Sequence, residues 1–165
     1  MKTGLLFSGR FTVLCFDKDG KPKWIKDVHN TVLDAALDAI LDVLFHGITP
    51  VGTWYLGLLD DGPTIDPTDI MTSHVGWTES IAYEGDRQAF VEAAADGQAL
   101  SNSANPAVFA INDTVTIAGA FLCGAATGTS CLLFCAAVFE EGDAVVESGD
   151  SINVVYEIQA ADAGV

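Results

Sequence analysis

Residues 113–140 read Asp-Thr-Val-Thr-Ile-Ala-Gly-Ala-Phe-Leu-Cys, then a run of small residues, then Cys-Leu-Leu-Phe-Cys-Ala-Ala-Val-Phe-Glu. The intervening segment, residues 124–130 (Gly-Ala-Ala-Thr-Gly-Thr-Ser), is rich in residues that permit chain reversal. Two strand-length apolar runs around such a turn describe a β-hairpin. On the way in, Thr114, Val115, Thr116 and Ile117 alternate as a half-buried strand does. The return run, 131–139, is apolar on both faces, which places it in the middle of a sheet or beneath a partner chain. No side chain here is reactive in any obvious way. The hairpin is scaffold.

The rest of the chain is punctuated in the same style. Residues 10–17 and 23–28 read as strands joined through Asp19-Gly20, a strong short-range hairpin signal. Pro22 at the start of the return strand suits a sheet edge, because proline cannot donate to a ladder. A helix is expected from an N-cap at Asn30 or Thr31 to Gly47, spanning about residues 31–45. Leu33, Leu37, Ile40, Leu41 and Leu44 form its apolar stripe, with Asp34, Asp38 and Asp42 on a neighbouring one. Further strands are expected at 53–59, 77–83, 88–94, 107–111, 144–147 and 151–159, with a loop at 96–106. The class is mainly β: an antiparallel β-sandwich, jelly-roll-like, with one helix and an N-terminal β-hairpin. The 165 residues make a single domain, divided into a basic hairpin or arm (1–27), the sandwich with its helix (28–160) and a short tail (161–165).

Charge is distributed unevenly. Residues 1–27 carry Lys2, Arg10, Lys18, Lys21, Lys23 and Lys26 against three acids, net +3, whereas the remainder sets Arg87 against 20 acids, net −19. A surface so acidic repels nucleic acid, so direct binding to it is not expected. Half of the residues are apolar, yet no run reaches the roughly 18–20 residues of a membrane span. The opening residues, Met-Lys-Thr-Gly-Leu-Leu-Phe-Ser-Gly-Arg, have too short an apolar part for a signal peptide. Two readings of the basic arm stand: a solvated sheet edge, or a docking end in which Arg10, Lys18, Lys21, Lys23 and Lys26 face an acidic partner.

Each chemical constellation falls short. Asp60, Asp61, Asp66 and Asp69 crowd one loop, the best calcium candidate, but without the ordered spacing of an EF-hand. Asp34, Asp38 and Asp42 stand in too straight a row to wrap one ion. Cys15, Cys123, Cys131 and Cys135 read as buried free thiols, although centring the hairpin on Thr127 would set Cys123 opposite Cys131 and make a cross-strand disulfide conceivable. His29, His46 and His74 are scattered, and no Cys-x-x-Cys pair supports zinc. There is no nucleophile elbow and no phosphate-cradling loop. Trp54, Trp77 and Tyr83 are core residues on this reading, with stacking on sugars as the alternative. Arg87 is expected to pair with Glu79 as a structural brace. No catalytic residue, metal ligand or cofactor is assigned.

Taken in order, His29-Asn30 before a helix, Tyr55-x-Gly57-Leu58, Trp77-x-Glu79-x-x-x-Tyr83-x-Gly85-x-Arg87, Ile117-x-Gly119 and Gly149-Asp150-x-x-x-Val154-x-Tyr156 resemble the small virion structural proteins of tailed bacteriophages, above all head decoration (capsid cement) proteins. The resemblance spans about residues 29–158 and leaves the N-terminal hairpin outside it. It implies a non-enzymatic β-rich module, commonly a homotrimer, on the capsid exterior at junctions between subunits of the major capsid protein, assembled in the host cytoplasm. It carries over no catalytic residues and implies neither nucleic-acid nor membrane partners. A tail or head-fibre component, with an adhesin's carbohydrate-binding sandwich, is the alternative.

Overall fold

The computed structural model describes residues 4–62 and 64–162. In chain order the strands are β1 (Leu5–Phe16), β2 (Pro22–His29), β3 (Thr31–Val32), β4 (Tyr55–Asp61), β5 (Thr78–Glu79), β6 (Gln88–Ala89), β7 (Ala99–Ser101), β8 (Ala107–Ala110), β9 (Val115–Ile117), β10 (Gly119–Cys123), β11 (Leu133–Val138), β12 (Ala144–Val146) and β13 (Ser151–Asp162). One α-helix, α1 (Asp34–Leu41), runs on into a π-helical turn, Asp42–His46. The strands form two antiparallel sheets packed as a β-sandwich. The first has the order β2-β1-β13, with β7 and β8 sharing the far edge of β13. The second has the order β3-β11-β10-β4, with β5 and β6 both on the outer side of β4. A small β9–β12 ladder stands beside them. None of the described helices is long and apolar enough to cross a membrane.

The first sheet is built on the longest ladder, β1 against β13, from Leu5 opposite Asp162 to Phe16 opposite Ser151. Strand β1 alternates, sending Phe11, Val13 and Cys15 inward, as a sheet with one solvated face requires. Phe11 stacks on Tyr156 at 4.3 Å. Between β7 and β8 the edge of β13 would be unpaired, and the buried Asn102 fills the gap. Its Oδ1 accepts from the Tyr156 N–H at 2.7 Å and its Nδ2 donates to the Val154 carbonyl at 3.1 Å. Strand β13 continues to Asp162, two residues into the expected tail, because β1 starts at Leu5 rather than Arg10 and pairs with it. Residues 163–165 lie outside the described residues.

The second sheet is buried on both faces. Leu56, Leu58, Ala120, Leu122 and Cys135 face the first sheet. Leu59, Phe121, Cys123, Leu133 and Ala136 meet Leu33, Met71 and Trp77 on the other side. The loop that follows β4 therefore serves as a third partial layer, which explains why 131–139 is apolar at nearly every position. The hairpin itself is β10–β11, while β9 turns away to pair with β12. A bulge at Leu122/Cys123 sets Cys123 opposite Leu133, not Cys131. All four cysteines are free, and the cross-strand disulfide is not formed. The helix is also shorter than expected: Thr31 and Val32 are taken by the edge of β11, and the helix starts after Leu33 without a side-chain cap. β-branched residues beside an open sheet edge favour that ladder over a first helical turn. Gly47, at φ +72°, ends it as expected.

Candidate docking surface

The helix is pinned at its start and leaves much of its apolar surface in water. The Leu33 N–H donates to the Phe134 carbonyl at 3.1 Å, and the Asp34 N–H donates to the Pro67 carbonyl at 2.9 Å. Ala36 is buried against the sandwich and Ile40 packs partly beside it. A small residue at the contact lets the helix lie close on the sheet. The leucine stripe points elsewhere: Leu37, Leu41 and Leu44 are exposed, as are Phe45 and Ile48, with Leu44 at 62% and Phe45 at 82%. Of the stripe Leu33, Leu37, Ile40, Leu41 and Leu44, only Leu33 is buried, Ile40 is partly buried, and the other three face solvent. The helix is apolar on two faces, and only one can meet the sheet.

Between the helix, the segment after it and β11 lies an open cleft of about 480 Å³, lined by Phe7, Ile40, Leu44, Ile48, Trp54 and Phe134 among others. Trp54 meets Phe134 edge-on at 5.4 Å and forms part of the cleft wall. Taking roughly 150–250 Å² per large side chain, the exposed parts of Leu37, Leu41, Leu44, Phe45 and Ile48 amount to on the order of 500 Å². That lies at the upper end of what a monomer leaves uncovered. Asp34, Asp38 and Asp42 stand exposed beside it, and His46 Nδ1 lies 3.5 Å from Asp42 Oδ1. No lysine or arginine occurs between residues 27 and 86.

The basic hairpin uses most of its charge inside the chain. Arg10 forms a two-pronged pair with Asp27 on the neighbouring strand. Lys23 Nζ reaches Asp150 Oδ2 at 2.6 Å and Glu147 at 3.3 Å, and Lys26 lies 3.6 Å from Glu141. Asp150, nearly buried, also accepts from the Glu147 N–H at 2.8 Å and so closes the turn before β13. Lys18 and Lys21 are exposed on the β1–β2 turn, with no ion pair among the described residues. Structural constraint on Lys23 raises its pKa, chiefly through the Asp150 hydrogen bond.

Glu79 and Arg87 are brought together as a bidentate pair, Nε and Nη2 each 2.7 Å from a carboxylate oxygen. Arg87 Nη1 donates to the Ala125 carbonyl at 3.0 Å and the Gly128 carbonyl at 2.9 Å, tying the β10–β11 turn to β5. The guanidinium also lies 5.4 Å from the Phe121 ring centre. In the acidic loop, the side chain of Asp66 accepts from both the N–H and hydroxyl of Thr68, which hold its pKa below the ordinary value. Asp69 is buried and accepts from the Asp66 N–H and from Trp77 Nε1. Burial holds the Asp60 carboxyl above its usual range. Among the described residues no three His, Cys, Asp or Glu side chains gather as a metal-binding group. Trp77 and Tyr83 are buried, Trp77 beneath the His74 ring at 3.7 Å. Compared with known protein families and curated proteins, the chain matches no family model and no curated sequence.

Proposed function

We propose that this chain is a non-enzymatic virion structural protein that decorates a bacteriophage capsid and stabilises it at junctions between subunits of the major capsid protein. The observation that carries the reading is the solvent-exposed apolar face of α1 and the segment beyond it, mounted on a sandwich whose second sheet is already covered on both sides. Such a module stays soluble through its net charge of −16 and holds a surface ready for burial on assembly. The residues that carry the resemblance support the same reading by their jobs. Tyr156 hydrogen-bonds with Asn30 and Cys135, Arg87 and Glu79 brace a turn, and Asp150 anchors Lys23. These are scaffold contacts, directed into the protein. Trimerisation and a jelly-roll winding belong to this proposal.

The test is the copy number of the chain relative to the major capsid protein in purified particles, by quantitative mass spectrometry. A ratio near one to one supports lattice decoration. A ratio of a few per cent moves the protein to a tail or head fibre, and absence from particles overturns the virion reading. Burial of Trp77 and Tyr83 removes two of the three aromatic side chains that the adhesin alternative could stack on sugar, and leaves it Trp54, in the wall of the open cleft.

A further inference from the structure

We infer that the apolar cleft beside α1 receives an amphipathic segment of a partner protein, with large aliphatic or aromatic side chains that enter the cleft and lysines or arginines that meet Asp34, Asp38 and Asp42. This deepens the assembly reading and rests on it, by naming the surface and the chemistry of its occupant. Shape and area come first. The cleft is open, its wall is almost wholly apolar and includes Leu44 and Ile48, and Leu37, Leu41 and Phe45 are exposed on the same helical segment. On the order of 500 Å² of apolar surface, in an interface a little over half apolar, corresponds to roughly 800–900 Å² per partner, the standard size of a specific complex.

Charge then selects the occupant. Asp42 lines the cleft, Asp38 and Asp34 stand exposed one and two turns before it on the same helix, and the neighbouring titratable group on that segment is His46. An acidic or phosphate-bearing partner is repelled, whereas cations flanking an apolar segment are attracted and oriented. A second copy of this chain is poorly equipped for the role. Among its described residues, Arg10, Lys23, Lys26 and Arg87 are held in internal pairs. Lys18 and Lys21 flank only Asp19 and Gly20, with no large apolar side chain between them. Face-to-face pairing of two such helices would also oppose two rows of aspartates.

The probe is a synthetic peptide of about 18 residues with leucine and lysine at helical spacing, beside the same peptide with glutamate for lysine. Binding to the full chain is measured by calorimetry and by tryptophan fluorescence, Trp54 being in the cleft wall. The lysine peptide is expected to bind, the glutamate peptide not. The double variant Leu44→Ser, Phe45→Ser changes two exposed side chains and keeps the net charge; it should weaken the lysine peptide at least about tenfold. The charge-altered variant Asp38→Asn, Asp42→Asn should weaken it too, and circular dichroism of both variants should match the parent. Equal lysine-peptide binding by parent and serine variant would reduce the effect to bulk attraction and overturn the proposal. Self-association of the parent that the serine variant abolishes would give the face to a second copy, and retention on phosphatidylcholine vesicles lost in that variant would give it to a membrane. Either result overturns the proposal as well. Peptide failure with the chain present in particles would sink this inference alone; peptide binding with the chain absent from particles would sink only the virion reading.

Discussion

Replacing Arg87 with alanine is expected to destabilise the chain by about 3–5 kcal/mol, the range for removing one partner of a buried ion pair. The pair is largely but not wholly enclosed: the side chain of Arg87 is 5% exposed and that of Glu79 is 21%. Loss of Arg87 strips two charge-assisted hydrogen bonds from Glu79 and leaves the Ala125 and Gly128 carbonyls, which pin the β10–β11 turn, to find water. The partial exposure of Glu79 lets water recover some of that loss. Glu79→Ala leaves the cation in the more enclosed position, so its cost should be at least as large. Urea unfolding of both single variants and of the double variant gives the coupling directly. With a urea slope of about 2 kcal/mol/M, each single change should lower the midpoint by about 2 M. The coupling should come to about 3 kcal/mol, against 0–1 for an exposed pair. Arg87→Lys should restore less than half of the loss, because an ammonium cannot reproduce the fork that spans Glu79 and the turn. A coupling below about 1 kcal/mol would refute the reasoning and reduce the pair to a surface contact.

Lys23→Glu should lower the melting temperature by roughly 6–12 °C, taking about 3 kcal/mol for the loss of the Asp150 pair and 2–4 °C per kcal/mol at this size; Lys21→Glu, exposed on its turn, should change it little, and equal effects would show that Asp150 needs no counter-ion. Burial pushes the thiols of Cys15 and Cys123 up to about 11 from an ordinary 9.0, so between those pH values the unfolded chain releases protons that the native chain retains and stability falls as pH rises. Urea midpoints from pH 8 to 11 should show that fall, shallower in Cys15→Ala and Cys123→Ala relative to each variant's own value at pH 8; a flat profile in the parent would refute it. Gly119→Ala should cost more than about 3 kcal/mol, since its Cβ would run into the Ala137 carbonyl of the paired strand, and a variant with parental thermal stability would show that β10 and β11 can part without loss.

Local chemistry made much of the scaffold legible. Asp19-Gly20 marks the β1–β2 turn, where Gly20 has φ +79°, and Pro22 opens a strand that lies at a sheet edge. The solitary Arg87 in an acidic chain pointed to a carboxylate, and Glu79 is the one it meets. The exposed apolar face was present in the sequence but unreadable as such. Leu33, Leu37, Ile40, Leu41 and Leu44 read as one stripe, and Ala36, which lies against the sandwich, stands outside it. Periodicity names apolar positions; it does not say which of two apolar faces lies on the sheet. The signal that could have found it is the continuation of apolar character past the helix, through Phe45 and Ile48, where no further turn exists to bury it.

The sequence by itself determined the mainly β class, the main turns, the edge position of β2 and the end of the helix at Gly47, because each depends on residues within a few positions of one another. Tertiary structure decided what depended on distant segments meeting. It paired β9 with β12, shifted Cys123 opposite Leu133, drew Thr31 and Val32 into the sheet, and spent Lys23 and Lys26 on Asp150 and Glu141. It also turned the leucines of α1 outward, because Ala36 against the sandwich allows the closer approach.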